Sequence, residues 1–223
     1  IWPSVRGETV VGFGYAAPYL RPFMDEAARV VAVMPAVQGV HPWPRSEAGR
    51  VLLAEECELP LADRSVDRLL LAHAVECSEQ LRPMLREAWR VLADGGRALV
   101  IAPNRTGIWA RTERTPFGFG HPYSAGQLKR LLRDCLFTPC ETAHALFLPP
   151  VDSRVLLHSA PAVERLAARW FQPIAGVVLV EAEKQLYAAT PVRAAATIRR
   201  RSLIALPGRT AAARDMRRNG ERR

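Results

Sequence analysis

The chain has 223 residues, 49% of them apolar, and a formal charge of +9, which suits one domain with a sizeable core and an appendage. No run reaches the ~18 apolar residues of a membrane helix, so no membrane partner is expected. The charge sits at one end: from Pro191 onward ten arginines face only Asp215 and Glu221, a net +8, and the body carries +1, without the basic bias that nucleic-acid binding requires.

Thr9 to Phe13 (TVVGF) reads as a first strand running into a glycine turn, Gly12-Phe13-Gly14-Tyr15-Ala16-Ala17-Pro18. Such a turn lets backbone approach a ligand and presents amide N–H groups at a helix start. As G-x-G-x-x-A, Gly12, Gly14 and Ala17 imitate a dinucleotide fingerprint. Arg29 to Met34 is a second strand, and Pro42 and Pro44 disfavour a helix after it. Trp43 between those prolines is either a stacking surface for a base or a packed anchor. Val51 to Ala54 is a third strand leading to Glu55, Glu56 and Glu58, and Val66 to Ala74 is a fourth, apolar enough to be buried on both faces. Leu81, Met84, Leu85, Ala88, Trp89, Val91 and Leu92 recur at helical spacing, with Ser78 as the expected N-cap and Gly95-Gly96 as the expected stop. Ala98 to Ala102 is the fifth strand. Two buried strands joined by an amphipathic helix make a crossover unit with parallel strands, so the fold class is α/β.

Thr106 to Tyr123 is a long loop with Trp109, Phe117, Phe119, His121 and Tyr123, placed where a substrate lid would sit. Ser124 and Gln127 form a capping box for a helix from Ala125 to about Leu136. Glu141 to Leu148 and Gly176 to Glu183 are the expected last strands, enclosing a helix from about Ala160 to Phe171. The tail from Pro191 has weak helical potential over Ala194 to Leu206 and no evident core, and is expected to be a disordered, solubilising appendage. Cys57, Cys77, Cys135 and Cys140 lack metal-ligand spacing, so reduced thiols and no metal are expected. No secretory pattern opens the chain, which makes a cytoplasmic location the default, and Ile1 is not an initiator Met, which leaves room for residues upstream.

The Leu59-Pro60, Asp63 to Ser65 and Val66-Asp67 sequence, followed by Arg90-Val91-Leu92 and Asp94-Gly95-Gly96, resembles the class I S-adenosylmethionine-dependent methyltransferases of the type 11 group. Two signatures in order at family-like spacing are far more specific than one glycine motif. The resemblance extends loosely from Thr9 to about Ala189. It implies a Rossmann-like, seven-stranded, mostly parallel sheet with helices on both faces. The seventh strand would run antiparallel between the fifth and sixth, and the family's N-terminal helix would lie upstream. The methyltransferase-like domain would span 1–190, followed by the basic tail, 191–223.

That family register makes S-adenosylmethionine the expected cofactor, with Gly12, Gly14 and Ala16 in its glycine loop. Met34 stands where both nucleotide-binding families carry an acid for the ribose hydroxyls, and Glu55, with Glu56 beside it, stands at the adenine position. His73, at the fourth strand's carboxyl end, is the best-placed titratable group near the cofactor, against a plain structural histidine. For the transfer itself, His73, His121 and Tyr123 are the base candidates. The acceptor is unidentified, a small molecule first, with nucleic acid only through the tail. The alternatives are a methyltransferase-like binding or regulatory module that has lost catalysis, and a nucleic-acid-associated protein.

Overall fold

A computed structural model describes residues 2–45, 49–111, 117, 120–147 and 174–186. Seven strands form one sheet: β1 (Thr9–Gly14), β2 (Arg29–Pro35), β3 (Val51–Ala54), β4 (Val66–Ala72), β5 (Leu92–Pro103), β6 (Phe137–Ala145) and β7 (Val177–Lys184), in the order β3-β2-β1-β4-β5-β7-β6. The first five pair in parallel, and β7 is antiparallel to both β5 and β6. Burial follows the order. The central strands β1, β4 and β5 supply the fully buried Val10, Val11, Leu69, Leu70, Ala98 and Val100, whereas edge strand β3 leaves Leu53 half exposed. Among the described residues three α-helices accompany the sheet: α1 (Ala17–Leu20), α2 (Leu81–Val91) and α3 (Ala125–Asp134).

The strand positions agree with the sequence expectation, including β7's insertion between β5 and β6. Several boundaries differ for identifiable reasons. β4 stops at Ala72 because His73 turns into the left-handed region at φ 54°, which His adopts more readily than most side chains. The last strands are displaced slightly, β6 beginning earlier, at Phe137, and β7 ending at Lys184.

Ser78 is not the N-cap of α2; that position is Gln80, and Ser78 Oγ is buried without a hydrogen-bond partner. Pro83 sets this start. With the helix beginning at Leu81, Pro83 is its third residue, where no N–H is required; a start behind Ser78 would make Pro83 the fifth, where one is. Gly95-Gly96 does not close the helix either. Leu92 is already extended, pairs with Val66 and is fully buried, and the glycines lie in a bulge before Arg97 pairs with Arg68. Gly95 there has φ 77°.

The capping box of α3 is as expected: Gln127 N–H donates to Ser124 Oγ, and Ser124 N–H donates to Gln127 Oε1. A second lock closes the end of β7. Lys184 Nζ donates to Leu92 O at 2.6 Å and lies 4.2 Å from the centre of the Trp89 ring. The helix expected between β6 and β7, the Phe119 position and the tail from Pro191 lie outside the described residues.

The residues that carry the family resemblance meet in one knot. Arg90 donates to Leu59 O at 3.1 Å and Leu61 O at 3.0 Å, pairs with Asp63, and binds Glu87 through Nε at 2.8 Å and Nη2 at 2.6 Å. Glu87 also accepts Leu59 N–H at 2.8 Å. The signatures thus tie the loop entering β4 to the end of α2. Asp67 accepts Thr9 N–H at 2.8 Å and fixes the start of β1 against β4.

Candidate active site at the carboxyl edge

Parallel pairing brings the carboxyl ends of β1 to β5 to one edge, so Gly14, the Met34-Pro35 end of β2, Glu55 and His73 share it. Loops at such an edge are where open α/β sheets bind ligands. Gly14 has φ 81°, and a Cβ there would stand 2.5 Å from Ala72 O. Only glycine fits this turn, in which Tyr15 N–H donates to Ala72 O at 2.8 Å. Gly12 serves another purpose. It is buried within β1, and an added Cβ would meet Ala16 Cβ at 2.4 Å and Leu20 Cδ1 at 2.8 Å. Gly12 and Ala16 therefore pack α1 onto the sheet, and neither lines the cleft beside Gly14.

Beside Gly14 lies a cleft of about 500 Å³, lined among others by Tyr15, Pro18, Met34, Gln38, His41 and Trp43. Met34 is 5% exposed and closes its floor, while Trp43 is half-buried against the same core. Trp43 packs against the core and also lines the cleft. Glu55 and Glu56 line neither this cleft nor its neighbour. Glu55 is exposed in a tight turn where its carbonyl accepts Glu58 N–H, and Glu56 Oε1 accepts Gln80 N–H at 2.7 Å, helping to start α2.

A second cleft, of about 480 Å³, adjoins the first through the shared Tyr15 and Gln38 and is lined also by Tyr19, His73, Glu76, Cys77 and Phe117. His73 is its organising residue. Its N–H donates to Ile101 O at 3.0 Å, its ring lies 5.2 Å from Phe117, and Nδ1 is 2.7 Å from Glu76 Oε1. With the ring neutral and Glu76 ionised, the carboxylate can only accept, so Nδ1 carries the proton and Nε2 is the acceptor.

The chain past β5 closes over this loop. His121 N–H donates to Glu76 O at 2.9 Å, and Gly120, at φ 79°, packs so closely that a Cβ would be 2.5 Å from that oxygen. The His121 side chain is exposed and lines neither cleft. Tyr123 also lines neither; burial, and then the charge of Glu76, push its hydroxyl pKa above the usual tyrosine value. Of the three base candidates, His73 alone lines either of these two clefts.

Glu76 was absent from the sequence expectations, although the i,i+3 spacing of His73 and Glu76 after a strand end was a usable signal. Tyr15, next to Gly14, and Tyr19, within α1, also line the cleft around His73. A separate hollow of about 120 Å³, between Trp2, Leu99, Ala143 and Glu181, lies along the strands away from this edge. Among the described residues no cluster of His, Cys, Asp and Glu could hold a metal ion, and no helix is long and apolar enough to cross a membrane.

A family profile described as a methyltransferase domain matches residues 10–100. No curated protein matches by sequence. Among solved structures, a SAM-dependent methyltransferase from Thermotoga maritima, described as a possible histamine N-methyltransferase, superposes with TM-score 0.58 and 19% identity, covering 80% of this chain and 82% of that one. A methyltransferase from Haloferax volcanii, in complex with its Trm112 activator, gives 0.57 and 17%, covering 83% and 85%. Geranyl diphosphate C-methyltransferase from Streptomyces coelicolor, holding S-adenosyl-L-homocysteine, gives 0.53 and 14%, covering 82% and 74%. At these identities the likeness is one of fold.

Proposed function

We propose that this chain, whose residues 10–100 match a methyltransferase-domain profile and whose fold resembles that of S-adenosylmethionine-dependent methyltransferases, transfers a methyl group from S-adenosylmethionine to an acceptor seated beside His73. The observation that carries this reading is the pair of adjoining clefts at the carboxyl edge, one beside Gly14 and one around His73, sharing Tyr15 and Gln38. The glycine turn that admits no side chain fits a cradle for the donor, as does the size of its cleft. Gly14, Met34 and Trp43 would hold it. When bound, the donor supplies an activated methyl on sulfur.

The chain's own residues do the rest. Methyl transfer is an in-line displacement whose leaving thioether needs no acid, so alignment and exclusion of water matter most. Tyr15 and Gln38 separate the clefts and set how the two ligands meet. His73 Nε2 takes the acceptor's proton, while Glu76 fixes the tautomer and faces the imidazolium that forms. Burial, and then the charge of Glu76, raise the pKa of Tyr123, which makes its phenolate scarcer at neutral pH and disfavours it as the base.

Calorimetric titration with S-adenosylmethionine and, separately, NADH tests the reading. Only the former should bind, and weakly, since a missing charge-assisted contact at Met34 costs ~1.5 to 3 kcal/mol, roughly ten- to a hundred-fold in affinity. Binding of NADH alone would assign the glycine turn to a dinucleotide. The apolar Met34 favours one second reading, a methyltransferase-like module that has lost catalysis. Absence of binding to either ligand would support it.

A further inference from the structure

Glu76 is 3% exposed, yet one of its oxygens is unspent. Oε1 takes the His73 proton, while Oε2 is buried without a hydrogen-bond partner among the described residues. A buried carboxylate oxygen left in this state is costly unless a donor arrives. The donor has somewhere to arrive from, since Glu76 lines the cleft of about 480 Å³ together with Tyr15, Tyr19 and Phe117. Among the described residues no lysine or arginine lines that cleft. A single carboxylate among aromatic rings, with no competing cation, is the chemistry that recognises an organic ammonium: the rings attract the charge through their faces and the carboxylate takes an N–H.

We infer that this cleft binds a compound bearing a primary or secondary amine, and that this amine is the methyl acceptor. The second half rests on the function proposed above; the first does not. The ammonium donates to Glu76 Oε2, and its hydrocarbon part lies against Tyr15, Tyr19 and Phe117. One nitrogen proton passes to His73 Nε2. The freed lone pair forms a bond to the methyl carbon as the carbon–sulfur bond of the sulfonium donor breaks, and that bond's electron pair stays on sulfur. The products are a methylated ammonium, a thioether and an imidazolium, with the total charge unchanged. A hydroxyl compound would also donate to Oε2 but would leave the aromatic walls without a cation, so charge separates the two acceptor classes.

The test is calorimetry on the full chain at neutral pH with phenethylamine, 2-phenylethanol and phenylacetate, probes of one shape and three charges. The amine should bind about tenfold or more tightly than the alcohol, and the acid should not bind. Glu76→Gln should reduce the amine to the level of the alcohol while S-adenosylmethionine, titrated separately, still binds. Should that variant fail to fold, Tyr15→Leu carries the test, because losing a ring face should weaken the amine several-fold and the alcohol little. An amine that binds no better than the alcohol, or a preference that survives Glu76→Gln, overturns the inference. If S-adenosylmethionine binds and the amine does not, only the amine site falls. If the amine binds and S-adenosylmethionine does not, the cation site stands and the methyl-transfer reading falls.

Discussion

Two glycines two residues apart do different work, and alanine at each separates them. In Gly14→Ala the new Cβ meets Ala72 O in a left-handed turn, which should cost about 1 to 3 kcal/mol of stability and also remove donor binding. In Gly12→Ala the clash is with Ala16 and Leu20, an overpacking cost of about 1 to 3 kcal/mol. Donor affinity of the molecules that remain folded should then be nearly unchanged, and paired melts and titrations read the difference. Met34→Asp is the complementary gain. Met34, on β2, is buried in the core that α1 helps to form, so without ligand the change should destabilise by about 2 to 4 kcal/mol through lost packing and a buried charge. If the ribose diol sits there, saturating S-adenosylmethionine should raise the melting temperature of the variant more than that of the parent. An equal rise would place the ribose elsewhere. The sequence motif shows both glycines equally; only the third dimension shows that one faces a helix and the other a cleft. For Glu76 the sequence offers only its i,i+3 spacing from His73, and not its burial, to which Gly120 and His121, far along the chain, contribute.

At the scale of elements, the Arg90 knot explains why its two signatures can be read together. They contact each other across 31 residues, through Arg90 and Leu59. Arg90 lowers the pKa of Glu87, by hydrogen bonding first, with the Leu59 N–H adding to it against the opposing effect of burial. A carboxyl whose folded pKa lies below its unfolded value near ~4.3 contributes stability that is complete above that value and is lost as pH falls through the lower, folded one. Glu87→Gln should therefore be less stable than the parent at pH 7, and the difference should shrink as pH drops below about 4. Chemical denaturation at a series of pH values measures it, and a constant difference would remove Glu87 from the acid response. Arg90→Met should cost about 2 to 3 kcal/mol at neutral pH, below the range for fully buried pairs because Arg90 is one-third exposed. Local signals were the legible ones. The Ser124–Gln127 box spans three residues and appears as expected, whereas the start of α2 was misplaced because Ser78 was weighed without Pro83.

For the whole molecule, the strand order means that neighbours in the sheet are not neighbours in time. Arg97 of β5 and Glu183 of β7 pair at 2.7 Å although 86 residues separate them. The family resemblance supplied this crossover, because residue periodicity specifies strands but not their order. Until β7 arrives, the edge of β5 carrying Leu99, Val100, Ile101 and Ala102 has no partner, and an unpaired apolar edge recruits other chains. A chain ending before Val177 should therefore aggregate, whereas one ending after Leu186 should remain soluble, as sedimentation of the two would show. A soluble, monomeric shorter chain would mean that β7 is dispensable. Synthesis at 5–20 residues per second separates the two strands by on the order of 4 to 17 s. During that interval the nascent sheet is a template with one side open, and the ribosome or a chaperone must shield β5 until its antiparallel partner emerges.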